Sequence, residues 1–236
     1  MRFSDLPDRA REVRDRIDAA RQRGGHEQLV TVVAVTKTHG PEAVEAACAA
    51  GLWDVGENRV QEAVRKMEAI RSQVRWHLIG HLQRNKAKQV TRFALVHSID
   101  SSRLADAVNE VGCQNSRPVD VLLQVNVVGE ATKGGYALNT LQAEAERVHA
   151  LTGLRVRGVM VMAPLDANEH VLRQVFSGAR AARETLAVAG HPATELSMGM
   201  SNDFEIAVEE GATLVRLGTI LFGERETAGH DEGAAA

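Results

Sequence analysis

The sequence predicts a (β/α)8 (TIM) barrel preceded by an extra N-terminal helix. Three observations predict it. Short, β-branched or aliphatic runs alternate with amphipathic helical segments through eight strand-like units, and such alternation calls for a parallel sheet. No stretch rich in Pro, Gly or Ser divides these units, and 236 residues is an ordinary length for one closed barrel. Aromatic residues make up 3% of the chain against 44% hydrophobic. The core is therefore aliphatic, as in parallel strands covered on both faces. A doubly wound open sheet is the alternative. No GxGxxG follows the first strand, which weakens a dinucleotide-binding version of it.

The elements follow in order. Ser4 can cap a first helix in which Ala10, Val13, Ile17 and Ala20 recur at helical spacing, and Gly24-Gly25 ends it. VTVVAVTK, residues 30–37, is the first buried strand. A helix over 41–50 has Pro41 in its first turn and Gly51 at its end. A short strand over 52–56 leads to an amphipathic helix over 59–71, with Val60, Ala63, Val64 and Met67 on one face. Residues 76–79 form a strand, 85–90 a basic helix, 94–99 a strand and 103–111 a helix. Strands over 119–127, 156–162, 194–198 and 214–217 are separated by helices over 140–151, 169–189 and 203–211. Residues 1–226 read as one domain, and 227–236, TAGHDEGAAA, as a disordered tail.

Composition narrows the function. A net charge of −3 argues against a polyanion as main partner, so no nucleic acid is expected. Two cysteines, Cys48 and Cys113, make neither a disulfide framework nor a cysteine metal site, and both read as small core fillers in helices. No apolar run reaches the ~20 residues that span a bilayer, and the charged first residues hold no signal-peptide core. The expectation is a cytoplasmic protein with no membrane partner.

A barrel puts its active site at the C-terminal ends of its strands. Lys37 ends an apolar strand there. Apolar walls or neighbouring cations lower a lysine's pKa, and the neutral amine can then form a Schiff base. A surface lysine at a strand end is the plainer reading of this residue taken alone. SMGMSND (197–203) and RLGT (216–219) are glycine-containing turns into helices, with the hydroxyls of Ser201 and Thr219. The loops after the last two strands are the usual phosphate site of barrels. Ser201 or Asn202 capping the following helix would explain one such turn with no ligand. Two of them opposite Lys37 point to a phosphorylated carbonyl compound. Asn58 either hydrogen-bonds a ligand or caps a helix. His77 and His81 lack a third metal ligand, so no metal is expected. Arg84, Lys86 and Lys88 read as a solvated face, without the interleaved aromatics of a single-strand binder.

AVTKTHG around Lys37, GENRVQE at 56–62, WHLIGHLQRNK at 76–86, LSMGMSNDFEIAVEEG at 196–211 and TLVRLGTILFG at 213–223 resemble the YggS/PROSC family of pyridoxal 5′-phosphate homeostasis proteins. That family is a single barrel related to the N-terminal domain of alanine racemases (fold type III). The resemblance runs over nearly the whole chain, with five motifs in order. It implies that Lys37 holds pyridoxal 5′-phosphate as a Schiff base. It further implies that Ser201, Gly218 and Thr219 bind the phosphate with backbone groups around Met200, that Arg216 faces the pyridine nitrogen, and that Asn58 lies beside the ring. The chain departs from the family after the lysine, where Thr38-His39-Gly40 precede Pro41.

Racemases of this fold type add a C-terminal β domain that supplies a tyrosine base; here the barrel is expected to end near Gly223. Racemisation needs acid–base groups on both faces of the α-carbon. Lys37 serves one; Tyr136, the sole tyrosine, or a histidine would have to serve the other. A permanently protonated Arg216 donates to the ring nitrogen but holds no pyridinium proton there, which disfavours carbanion chemistry. The first expectation is therefore a protein without catalytic turnover that buffers the cofactor or delivers it to apo enzymes that depend on it. A racemase using the same cofactor is the second, and a Schiff-base aldolase acting on a phosphorylated sugar the third.

Overall fold

The computed structural model describes residues 3–130 and 134–223. The chain begins with α1 (Leu6–Gly24), then runs β1 (Thr31–Val35), α2 (Pro41–Ala49), β2 (Asp54–Glu57), α3 (Val60–Ala69) and β3 (Arg75–Leu78). A 3₁₀ helix (Arg84–Arg92), β4 (Leu95–Ile99), α4 (Ser102–Gln114), β5 (Val119–Asn126), β6 (Tyr136–Ala137) and α5 (Leu138–His149) follow. The remainder is β7 (Leu154–Met160), α6 (Glu169–Val188), β8 (Glu195–Ser197), α7 (Phe204–Glu209), β9 (Leu214–Leu217) and α8 (Thr219–Phe222).

Strands neighbour one another in the order β4-β3-β2-β1-β9-β8-β7-β5, and a β4–β5 pairing closes the ring. Every pairing is parallel; β1 registers Val33 on Asp54 of β2 and Thr31 on Leu214 of β9. This is the (β/α)8 barrel that the alternation predicts, with α1 outside it.

Strand residues sort into two layers because successive side chains point to opposite faces. Val32 and Ala34 of β1, Val121 and Leu123 of β5, and Val159 of β7 join the large apolar layer beneath the helices. Their neighbours Val33, Leu122 and Met160, with Leu95 and Leu214, form a small separate cluster in the lumen. α1 buries Leu6, Ala10, Val13, Ile17 and Ala20 along one stripe. Full burial of a Leu, Val or Ile is worth about 1.5–3 kcal/mol each, so this helix is docked by packing. Arg16–Glu205 and Arg23–Glu209, both 2.6 Å, tie it to α7 at the surface.

The structure departs from expectation in five places. The N-cap of α1 is Asp5, not Ser4. Residues 84–92 wind as a 3₁₀ helix. Its two buried residues, Ala87 and Val90, lie three apart, and a three-residue repeat stacks them on one side where an α-helix would rotate them apart. β6 and α8 are two and four residues long, too short to leave a periodic signal. Cys113 is exposed and Cys48 only partly buried, so neither is a core filler. Neither Ser201 nor Asn202 caps α7; its N-cap is Asp203. The tail expected over 227–236 lies outside the described residues. Among the described residues, no helix is long and apolar enough to cross a membrane.

Candidate functional site

The C-terminal ends of the strands surround a cavity of about 730 Å³. Lys37, Asn58, Met200, Ser201, Arg216, Gly218 and Thr219 all line it. The seven residues come from the ends of β1, β2, β8 and β9, which are distant in sequence and brought together by closure of the barrel.

Lys37 sits in a tight turn directly after β1. The His39 amide donates to the Thr36 carbonyl at 3.1 Å. Thr38 takes φ +69°, a left-handed conformation that costs a β-branched residue about 1–3 kcal/mol. Its amide donates to Glu62 Oε1 at 2.8 Å. The same carboxylate accepts from Lys66 Nζ at 2.9 Å, and Lys66 also donates to Glu57 Oε1 at 2.6 Å and to the Thr36 carbonyl at 2.8 Å. Thr36 Oγ1 donates to Glu57 at 2.5 Å. This seam between β1, β2 and α3 clamps the residues on both sides of Lys37. Burial pushes the Glu57 carboxyl up, against the lowering influence of Lys66 and Thr36. Lys66 itself is buried, on the same side of α3 as Val60 and Ala63.

Asn58 is held by close packing. A Cβ on Gly80 would come within 2.4 Å of the Asn58 carbonyl oxygen, so only glycine allows the β3 end to approach this closely.

The turn after β8 depends on Gly199, at φ +91°. Ser201 Oγ accepts from the Ile220 amide at 3.4 Å, joining this turn to the one after β9. Asp203 Oδ1 accepts from the Met200 amide at 2.5 Å. Burial raises the Asp203 carboxyl, opposed by the Met200 amide and by Arg216. The Met200 N–H therefore has a partner within the turn.

Arg216 is buried. Nη1 donates to the Ser197 carbonyl at 2.8 Å and to Ser197 Oγ at 2.6 Å, and Nη2 donates to the Val161 carbonyl at 2.9 Å. Burial pulls the guanidinium down to about 10, so it stays charged at neutral pH. The cavity thus presents two basic side chains, Lys37 and Arg216, with Asp100 and Asp203 as its acidic groups.

Tyr136 lies outside this lining. It is buried on β6, and its hydroxyl makes no hydrogen bond of good geometry. Burial, with the Glu144 carboxylate next, pushes its ionisation far above the usual range. His39 and His81 do line the cavity. His39 packs against Phe3 and Phe222 at 5.7 and 5.4 Å between ring centroids; His81 Nδ1 contacts Asp100 at 3.2 Å. His77 faces the lumen, where one ring nitrogen meets Asp54 and the other His97. Among the described residues, no group of three or more His, Cys, Asp or Glu could hold a metal ion.

Residue-type reasoning missed Asp203, Gln124 and Asp100 in the lining. A usable signal was the two-residue period of the strands. Gln124 lies two residues beyond lumen-facing Leu122, as Arg216 does beyond Leu214.

Comparison with known proteins gives consistent results. The family described as "Alanine racemase, N-terminal domain" matches residues 10–226. A pyridoxal phosphate homeostasis protein of Aquifex aeolicus is 41% identical over 223 residues, covering 93% of this chain and 98% of the relative. The structure of PipY from Synechococcus elongatus with PLP bound is similar at a TM-score of 0.81 and 36% identity, covering 92% of this chain and 100% of that one. The alanine racemase of Corynebacterium glutamicum shares the fold at a TM-score of 0.72 and 16% identity, over 98% of this chain and 64% of its own.

Proposed function

The chain belongs to the alanine racemase N-terminal domain family and, within it, to the pyridoxal phosphate homeostasis proteins, and from that premise we propose that it binds pyridoxal 5′-phosphate in the barrel mouth and buffers or delivers this cofactor inside the cell. The observation that carries the reading is the convergence of Lys37, Arg216, Ser201 and Thr219 on one cavity.

The donor set fits the ligand. The lining offers an amine for an aldehyde, hydroxyls on two adjoining turns for a phosphate, and a guanidinium for a pyridine nitrogen. Lys37 would hold the cofactor through its aldehyde carbon. Ser201 and Thr219 donate to the phosphate, with Gly218 and the Met200 turn shaping its seat. Arg216 donates to the ring nitrogen, and Asn58 flanks the ring. When bound, the cofactor supplies an electron-withdrawing ring. A permanently charged donor at the nitrogen leaves that ring a weaker electron sink than a carboxylate partner would. The chemistry favoured is reversible holding. Leu165, 83% exposed at the rim, borders a mouth through which the cofactor passes to solvent or to an apo enzyme.

Racemisation is disfavoured by the position of Tyr136, whose hydroxyl is buried away from the cavity.

Lys37→Ala tests the reading. The variant is expected to fold and to lose the Schiff-base absorbance. Borohydride reduction of the native protein should place the added mass on the peptide containing Lys37. A full absorbance signal in Lys37→Ala, or the mass on another lysine, would overturn the assignment.

A further inference from the structure

Behind Arg216, the lumen below the cavity contains an unbroken polar chain that the proposed function uses only at its Arg216 end. Arg216 Nη1 meets Ser197 Oγ at 2.6 Å. Ser197 Oγ meets His97 Nδ1 at 2.8 Å. His97 Nε2 meets His77 Nδ1 at 2.9 Å, and His77 Nε2 meets Asp54 Oδ1 at 2.9 Å. Arg75 closes the far end with a two-pronged contact to the Asp54 carboxylate. The residues sit on β9, β8, β4, β3 and β2. The His97–Ser197 bond joins β4 to β8, which are not neighbours in the sheet, so the chain crosses the lumen. His97, Ser197, His77, Asp54 and Arg216 are all buried. Asp54 and Arg75 also border a groove at the opposite end of the barrel.

The chemistry of the groups orders the hydrogens. A guanidinium only donates, so Ser197 Oγ accepts from Arg216. The Ser197 hydrogen then goes to the hydroxyl's other partner, His97 Nδ1. His97 sits where burial, the His77 ring and the Arg216 charge all oppose protonation, so its single hydrogen is on Nε2 and is donated to His77 Nδ1. His77 then donates from Nε2 to Asp54. Each bond runs the same way, from a cation on the cavity wall to a carboxylate at the other end.

We propose that Asp54, His77, His97 and Ser197 are positioning residues that orient Arg216 through this one-way hydrogen-bond chain, and so set the ring-nitrogen side of the cofactor pocket from outside it. An all-apolar lumen would pack as well as a polar one, and a partly satisfied buried network is worse than none. Every member of this chain is satisfied on both sides. The proposal rests on the cofactor reading for its consequence, though not for its hydrogen positions.

Two experiments separate these. Imidazole ¹⁵N NMR of the protein without cofactor reports which nitrogen carries hydrogen. His97 is expected as the Nε2–H tautomer; an Nδ1–H tautomer or a charged His97 would overturn the chain's direction whether or not the cofactor reading holds. Ser197→Ala and Asp54→Asn are then titrated with pyridoxal 5′-phosphate. Ser197→Ala should weaken binding about tenfold, the loss of one hydrogen bond to a charged group, and should shift the absorbance maximum of the bound cofactor. Asp54→Asn should move both in the same direction by less, and should have no further effect in a Ser197→Ala background. A purely structural role would lower the melting temperature while leaving affinity and absorbance as in the native protein, and that result would overturn the proposal. So would equal, additive effects of the two changes. If Lys37→Ala leaves cofactor binding intact, the failure lies with the cofactor reading, and the NMR result still decides the chain.

Discussion

Two buried polar clusters support the cavity, and they differ in kind. The seam at β1, β2 and α3 is ionic and short-range: Lys66 bridges Glu57, Glu62 and the Thr36 carbonyl. The lumen chain is mostly neutral between its ends and long-range, running from Arg216 to Asp54 through a serine and two imidazoles. The seam holds a strained turn, with Thr38 at φ +69°, where several groups must converge on one short segment. A single ammonium with three donors does this well. The chain holds one guanidinium inside a packed barrel, where a second full charge beside it would be costly. Local convergence favours an ion cluster; distance across a dry interior favours a relay of neutral groups.

The largest test breaks the seam. Lys66→Met leaves Glu57, fully buried, without its cation. Removing one partner of a buried pair costs about 3–5 kcal/mol, and urea denaturation should show a loss of that order. A loss below about 1 kcal/mol, the value of an exposed ion pair, would mean that the seam carries no such weight.

The cavity between the clusters is tested by its hydroxyls. Ser201→Ala and Thr219→Val should each cost about 1.5–3 kcal/mol of binding, the value of a hydrogen bond to a charged group. Pyridoxal without its phosphate should be nearly indifferent to both changes. Equal losses for the two ligands in a binding titration would point to misfolding of the turns and not to phosphate contacts.

The lumen chain predicts a pH dependence opposite in sign to that of Glu57 in the seam, whose raised carboxyl takes up its proton first in the folded state. His97 stays neutral in the folded protein well below the ordinary histidine range, while the unfolded chain takes up its proton near pH 6.5. Falling pH therefore favours the unfolded state, and stability drops by up to about 1.4 kcal/mol per pH unit below pH 6.5 for this one group. His191, also lowered by burial, acts in the same direction. Denaturation at pH 7, 6 and 5 should show the decline, and His97→Gln should make it shallower. An unchanged slope in that variant would show that His97 is not the group responsible.

The smallest effect is expected at a buried polar group outside both clusters. The Tyr136 hydroxyl has no well-formed partner, so Tyr136→Phe removes little: a stability change within about 1 kcal/mol and unaltered cofactor affinity. With saturating alanine or serine, D/L conversion should stay far below the usual enzyme range of roughly 1–10³ per second in both native protein and variant. Turnover in that range that collapses in Tyr136→Phe would make this residue a second base and the protein a compact racemase.

By itself the sequence determined the barrel and the residues at its strand ends. Runs such as 30–37 and 119–127 declare buried strands through composition alone, and Lys37, Ser201, Arg216 and Thr219 stand beside turns whose chemistry is local. A strand end needs no knowledge of its partners to be recognised, because the closed barrel sends every such end to the same face. What only the tertiary structure decided is which polar groups meet. Lys66 continues the i, i+3 stripe of Val60 and Ala63 on α3, and its burial depends on Glu62 of the same helix together with a carboxylate and a carbonyl, those of Glu57 and Thr36, gathered from other elements. His77 and His97 are 20 residues apart and Ser197 a further 100; no spacing rule joins them, since their contact arises only when β4 and β8 face each other across the lumen. Propensity and periodicity act along the chain, whereas hydrogen-bond partnership in a dry core is set by closure in space.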